Sequence, residues 1–126
     1  TKNNGAVPDL PVDCAVEVSS YIGSTGARPI AFGPLEPAER GWVQCMKNME
    51  LCVEEAAVTG DYGTLLQAFT INPQIVAGTK AKRIMDELLI AHKKYLPQFA
   101  DTIARLEEEG VTIKDDVARE LTEKGL

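Results

Sequence analysis

Glu50 and Glu54 stand four residues apart, with Glu55 beside them. Paired carboxylates serve as acid and base in glycoside hydrolysis, where they face each other across a sugar. Two on adjacent turns of one helix point the same way, so this pair reads as a solvated or capping feature. Cys14, Cys45, Cys52 and His92 are the other groups with metal-binding or nucleophilic potential. Cys45 and Cys52 lie seven apart on one predicted helix, too far along its axis to bond each other. One remote histidine and three thiols without paired spacing do not make a metal site, and the thiols are expected to be buried. Ser19, Ser20 and Ser24 lack the G-x-S-x-G elbow that exposes a nucleophile. Neither a Walker loop nor a G-x-G-x-x-G fingerprint occurs. Read residue by residue, no catalytic set is complete.

One polar stretch remains. Asn3-Asn4-Gly5 favours positive φ angles and a tight turn. It has two readings: a structural turn, or a loop whose Asn amide reaches a polar ligand.

Composition narrows the partners. The chain of 126 residues fits one domain, and its net charge of −6 opposes binding to nucleic acid, since no basic face offsets phosphate repulsion. Lys80, Lys82, Arg83, Lys93 and Lys94 alternate with carboxylates and read as a solvated face. No apolar run is long enough to span a bilayer, so no membrane partner is expected. An odd count of three cysteines favours a reducing compartment, hence a cytoplasmic location. The opening residues TKNNG, without an initiator methionine, read like mid-protein loop and raise the expectation of a fragment or processed product.

The elements that position these residues are predicted from periodicity. After the Pro- and Asn-rich lead-in, Cys14–Ile22 alternates and predicts a strand, with Cys14, Val16 and Val18 on one face. Gly23–Gly26 forms a hairpin loop, and Ala27–Phe32 returns, with Pro29 demanding an edge. A two-stranded ribbon is marginal alone and calls for backing. A long helix runs from about Pro37 to Thr59, with Trp42, Met46, Met49, Val53 and Ala56 along one apolar face. Asp61 caps a second helix, Tyr62–Ile71, which Asn72-Pro73 ends. Thr79 is expected to cap a third, Lys80–Leu96, burying Ile84, Leu88, Ala91 and Tyr95. A helix over Asp101–Glu109, stopping at Gly110, and a last one over Ile113–Lys124 behind a Thr112–Asp115 capping box complete the chain. The charge-rich tail from Phe99 is expected to pack loosely. The fold class is therefore α+β, mostly helical, a β-hairpin plus helices.

The blocks NNGAVPDLP, VEVSSYI, RPIAFGPL, ELCVEEAAVTGD, LLQAFTINPQ and DELLIAHKKYLPQF, in this order, resemble the C-terminal part of the family 4 glycoside hydrolases. VEVSS and RPIAFGPL lean toward the 6-phospho-β-glucosidase branch. The resemblance covers residues 1–99 and leaves 100–126 as a helical tail without a match. It implies a hydrolase whose N-terminal half binds NAD and whose C-terminal half is lactate-dehydrogenase-like, this chain being the later part of it. It further implies manganese held by a cysteine and a histidine, and hydrolysis of O-glycosyl bonds by oxidation, elimination and addition.

The residues that carry such chemistry in the family do not match positions here. Cys14, Cys45, Cys52 and His92 receive no role, and no catalytic, cofactor-binding or metal residue is assigned. Asn3, Asn4 and Gly5 match a family loop on the sugar side and are the expected substrate-binding residues. Glu55, Ala56, Ala57, Gly60 and Asp61 match a helix end read as structural. The implied partners are the N-terminal NAD-binding half, a phosphorylated disaccharide, and further copies in a homo-oligomer. The chain alone is expected to be inactive. The competing expectation is a helical interaction or oligomerisation module without catalysis, presenting Trp42, Met46 and Met49 to a partner.

Overall fold

The computed structural model describes residues 1–75, 78–114 and Glu123. Two strands, β1 (Ser20–Gly23) and β2 (Gly26–Pro29), precede α1 (Pro37–Thr59), α2 (Tyr62–Ile71), α3 (Thr79–Ala91) and α4 (Ala100–Glu108). Two single 3₁₀ turns, Lys93–Tyr95 and Pro97–Phe99, link α3 to α4. The expected α+β, mostly helical architecture is the one found. The expected helix over Ile113–Lys124 and its capping box fall largely outside the described residues.

The helices begin and end where local chemistry dictates. Pro37 sits in the first turn of α1, where its missing N–H costs nothing. Gly60, at φ 74°, closes that helix in the left-handed region and returns its N–H to the Ala56 carbonyl. Asp61 then caps α2, its carboxylate accepting the Thr64 N–H at 2.5 Å. That bond holds the Asp61 carboxyl below the usual range.

The third helix departs from expectation at both ends. Gly78 is the N-cap, without a side-chain bond, and Thr79 is already helical. The α-helix stops at Ala91 and the chain tightens into the Lys93–Tyr95 turn, while Leu96, standing before Pro97, leaves the helical region at φ −122°, ψ 56°. The strands are shorter than predicted. Residues 14–19 still alternate between sheltered and exposed, but only Ser20–Gly23 pairs with β2, while Ala15 bridges Lys2.

Two apolar clusters lie at opposite ends of α1. Ala56 joins Met85, Leu89, Phe99, Ile103 and Leu106 in the larger, and Val7, Leu10 and Cys14 form the smaller under Val43. The buried stripe of α3 is Ala81, Met85 and Leu89, one position round from the predicted Ile84, Leu88 and Tyr95, which are exposed. One position is 100° on a helix. The rotation follows from α4, whose Ile103 and Leu106 are buried against α3; this described part of the tail packs firmly rather than loosely. Along α1 the predicted face is likewise only partly covered: Ala56 is fully buried, whereas Trp42 is 60% exposed. No helix among the described residues is long and apolar enough to cross a membrane.

Candidate functional site

The Asn3-Asn4-Gly5 stretch forms a tight turn held from beneath. Asn4 and Gly5 have φ 48° and 83°, and the Ala6 N–H donates to the Asn3 carbonyl at 2.9 Å. Positive φ at both central residues is the type I′ pattern, which Asn-Gly suits best. The Asn3 side chain is fully buried. Its Nδ2 donates to the carbonyls of Val7 (3.0 Å), Leu10 (3.2 Å) and Pro11 (3.0 Å), while Oδ1 accepts the Val7 N–H at 2.8 Å. The amide is thereby committed to the loop itself. Asn4 and Gly5 are exposed at its tip.

Asp9 ties this loop to α1. Its Oδ2 accepts the Leu35 N–H at 2.7 Å, and Gln44 Nε2 donates to its carbonyl at 2.9 Å. Arg40 Nε lies 3.2 Å from Asp9 Oδ1 as an ion pair, outside hydrogen-bond angle, and Arg40 Nη2 donates to the Leu35 carbonyl at 3.0 Å. Sequence reasoning missed all three residues. Their partners stand as far as 35 residues apart, and no local pattern signals such a bond.

The other chemistry-bearing residues are not brought together. Glu50 pairs with Lys47 at 2.5 Å, and Glu54 and Glu55 are exposed. His92 is exposed, with Nδ1 3.0 Å from the Leu88 carbonyl. Cys14 is buried as expected, but Cys45 is exposed and Cys52 half-buried. Ser20 Oγ donates to the Val18 carbonyl at 3.1 Å. Among the described residues no three His, Cys, Asp or Glu side chains converge as a metal site.

A second polar centre lies between α2 and α3. Tyr62 donates its hydroxyl to Asp86 Oδ1 at 2.7 Å, and Lys82 Nζ bonds Asp86 Oδ2 at 2.6 Å. Burial, then the Asp86 bond, pushes the Tyr62 phenol upward, and the Asp86 bond raises Lys82. A group raised in the folded state adds stability below its unfolded pKa and loses it as pH climbs through the folded value. The melting temperature should therefore fall more steeply above about pH 10 in the native chain than in Asp86→Asn, which keeps an acceptor but no charge. At pH 7 that substitution should cost about 1–2 kcal/mol, modest because Lys82 is half exposed. Thermal melts of both chains from pH 7 to 11 check this; parallel curves would contradict it.

Residues 1–75 match the family model described as the family 4 glycosyl hydrolase C-terminal domain. The chain belongs to this family. It is 53% identical over 103 residues to a probable 6-phospho-beta-glucosidase of Bacillus subtilis, covering 82% of this chain and 23% of that protein. It is 30% identical over 107 residues to a 6-phospho-beta-glucosidase of Escherichia coli, covering 84% and 24% respectively. The crystal structure of a 6-phospho-alpha-glucosidase from gut microorganisms, in complex with NAD and glucose-6-phosphate, superposes with a TM-score of 0.74 at 32% identity. That match covers 78% of this chain and 23% of the other. The chain thus spans about a quarter of the length of the relatives it matches.

Proposed function

We propose that this chain serves as the C-terminal scaffold of a 6-phospho-β-glucosidase, an enzyme hydrolysing O-glycosyl bonds by NAD-dependent oxidation, elimination and addition. The 53% identity to the Bacillus subtilis protein carries the β assignment, since the α-glucosidase structure stands at 32%. In this reading the partner is the N-terminal NAD-binding half and the substrate is a phosphorylated disaccharide. NAD and manganese, in this reading, are held by the rest of the polypeptide. Residues 1–99 would carry the family scaffold, and α4 packs onto it. Three free thiols fit the cytoplasm. The enzyme would be a homo-oligomer.

Within that scaffold the turn at Asn3, Asn4 and Gly5 is the substrate-facing element. Asn4 presents its exposed amide, Gly5 allows close approach of backbone, and Asn3 is a positioning residue whose own amide is spent beneath. The test is a hybrid in which this chain replaces the matching region of the Bacillus subtilis relative. It should release the aglycone from a 6-phospho-β-glucoside when NAD and manganese are supplied, whereas the chain alone should not. Asn4→Gly keeps the turn and deletes only the amide. It should raise KM about fivefold, one neutral hydrogen bond's worth, with an unchanged melting temperature. An unaltered KM would remove Asn4 from the site. An inactive, folded hybrid would favour the non-catalytic interaction module, for which the exposed Trp42 is the supporting observation.

A further inference from the structure

The strand edge running from Cys14 to Ile22 is half occupied. Asn3 donates its N–H to the Cys14 carbonyl at 2.9 Å, Val16 donates to the Thr1 carbonyl at 2.8 Å, and the Thr1 nitrogen donates to the Val16 carbonyl at 3.0 Å. Residues 1–3 therefore lie antiparallel to residues 14–16 and use the even-numbered backbone groups. On the other side, Ile30 donates to the Ser19 carbonyl at 2.9 Å, and Tyr21 and Gly23 oppose Arg28 and Gly26. Backbone groups alternate in direction along a strand. The odd-numbered residues thus face β2, and the even-numbered Val18, Ser20 and Ile22 face outward along the edge that Thr1 and Asn3 already occupy.

The opposite edge of the ribbon is partly blocked. Pro29 pairs with Ser20 in a non-hydrogen-bonded position, so its ring nitrogen points outward from β2 and offers no donor. Within β2 that leaves Ala27 as the outward donor, against Val18, Ser20 and Ile22 on the other side, so the β1 side is the edge suited to an added strand. The side chains agree with this polarity. Ile22 is 79% exposed, and it continues the face on which Val16 and Val18 border a groove of about 200 Å³ with Phe32, Leu35 and Val43. An exposed, apolar, unpaired edge is what soluble domains avoid.

We propose that Val18, Ser20 and Ile22 receive an antiparallel strand from the rest of a family 4 glycosidase polypeptide, collinear with residues 1–3, making a three-stranded sheet with β1 at its centre. This rests on the reading that the chain acts within a longer enzyme, whose relatives carry about three quarters of their length outside the matched region. The register follows from the existing pairs. The added strand places alternate residues beside Val18, Ser20 and Ile22, and those side chains face the groove, so apolar residues belong at every second position. Ser20 Oγ holds the Val18 carbonyl meanwhile, and a carbonyl accepts a second bond without losing the first.

Amide hydrogen exchange tests this in the chain alone and in the hybrid with the Bacillus subtilis relative. Tyr21 and Arg28, bonded across the ribbon, serve as internal references. The amides of Val18, Ser20 and Ile22 should exchange freely in the chain alone and slow by about 100-fold or more in the hybrid. Ser20→Pro deletes the outward donor together with the hydroxyl that bonds the Val18 carbonyl, and Ser20→Ala deletes the hydroxyl alone. Relative to Ser20→Ala, Ser20→Pro should lower the melting temperature of the hybrid and leave that of the chain nearly unchanged. An active hybrid whose three amides exchange as freely as in the chain alone overturns the strand addition and leaves the glycosidase reading intact. A protected edge in an inactive hybrid keeps the strand and removes the catalysis. A folded hybrid with neither activity nor protection removes both. Concentration-dependent protection in the chain alone, with a dimer in sedimentation, assigns the edge to a second copy and overturns the proposal.

Discussion

Gly60→Ala is expected to destabilise this chain by about 3–5 kcal/mol, a large share of the roughly 6–19 kcal/mol a domain of this length holds. Gly60 has φ 74°, a conformation that costs an alanine about 1 kcal/mol. A collision costs more than this strain. A Cβ there would stand 2.0 Å from the Gln98 carbonyl oxygen and 2.9 Å from its carbon. Both are backbone atoms of the Pro97–Phe99 turn, so no side chain can swing aside. The turn must retreat, and with it Phe99, which is buried in the main cluster with Ala56 and Met85. Lost packing around a displaced aromatic accounts for the remainder.

The matching control is Gly110→Ala. Gly110 has φ 77° and closes α4, yet nothing lies within 4 Å of its would-be Cβ. It carries the same backbone strain without the collision, and should cost about 1 kcal/mol. Urea denaturation of the two variants separates strain from collision. Equal midpoints would mean that the approach of Gln98 relaxes freely and that Gly60 matters only as a helix stop.

The contrast marks what a local pattern can and cannot reveal. Pro37, Gly60-Asp61 and Asn72-Pro73 act on the backbone within a residue or two, so the expected bounds of α1 and α2 are the observed ones. That Gly60 must be glycine for a second reason, the arrival of Gln98 from 38 residues away, has no local signature. The buried stripe of α3 is displaced for a related cause. An amphipathic pattern shows that a helix has an apolar face, but α4 decides which part of it is covered. The turn at Asn4 and Gly5 is legible because Asn-Gly has few other uses. Its anchors are not, since Asp9, Arg40 and Gln44 meet only after the chain has turned through the ribbon.

The second large effect concerns the support of that turn. In Asn3→Asp the shape is kept and the donor is lost. Two N–H protons shared among the carbonyls of Val7, Leu10 and Pro11 are replaced by an oxygen facing them. A buried carboxylate against three carbonyl oxygens is penalised by desolvation and repulsion together, and a cost of about 3–5 kcal/mol is expected at pH 7. The sign of its pH dependence is diagnostic. Such a carboxyl has a raised folded pKa, so the variant is least damaged below the unfolded value near 4 and loses stability as pH rises. Asn3→Ala leaves the Leu10 carbonyl and the Val7 N–H unpaired, while the Val7 and Pro11 carbonyls keep the N–H groups of Leu10 and Cys14, and it should cost about 2–3 kcal/mol with no such trend. Both should open the smaller cluster, where Cys14 is buried beside Val7 and Leu10. Thiol labelling reads that opening directly: Cys45 reacts at once in every variant, while Cys14 reacts early only where Asn3 is gone. Protection of Cys14 in both variants would show that the loop stands without the Asn3 amide, and the positioning role assigned to it would fall.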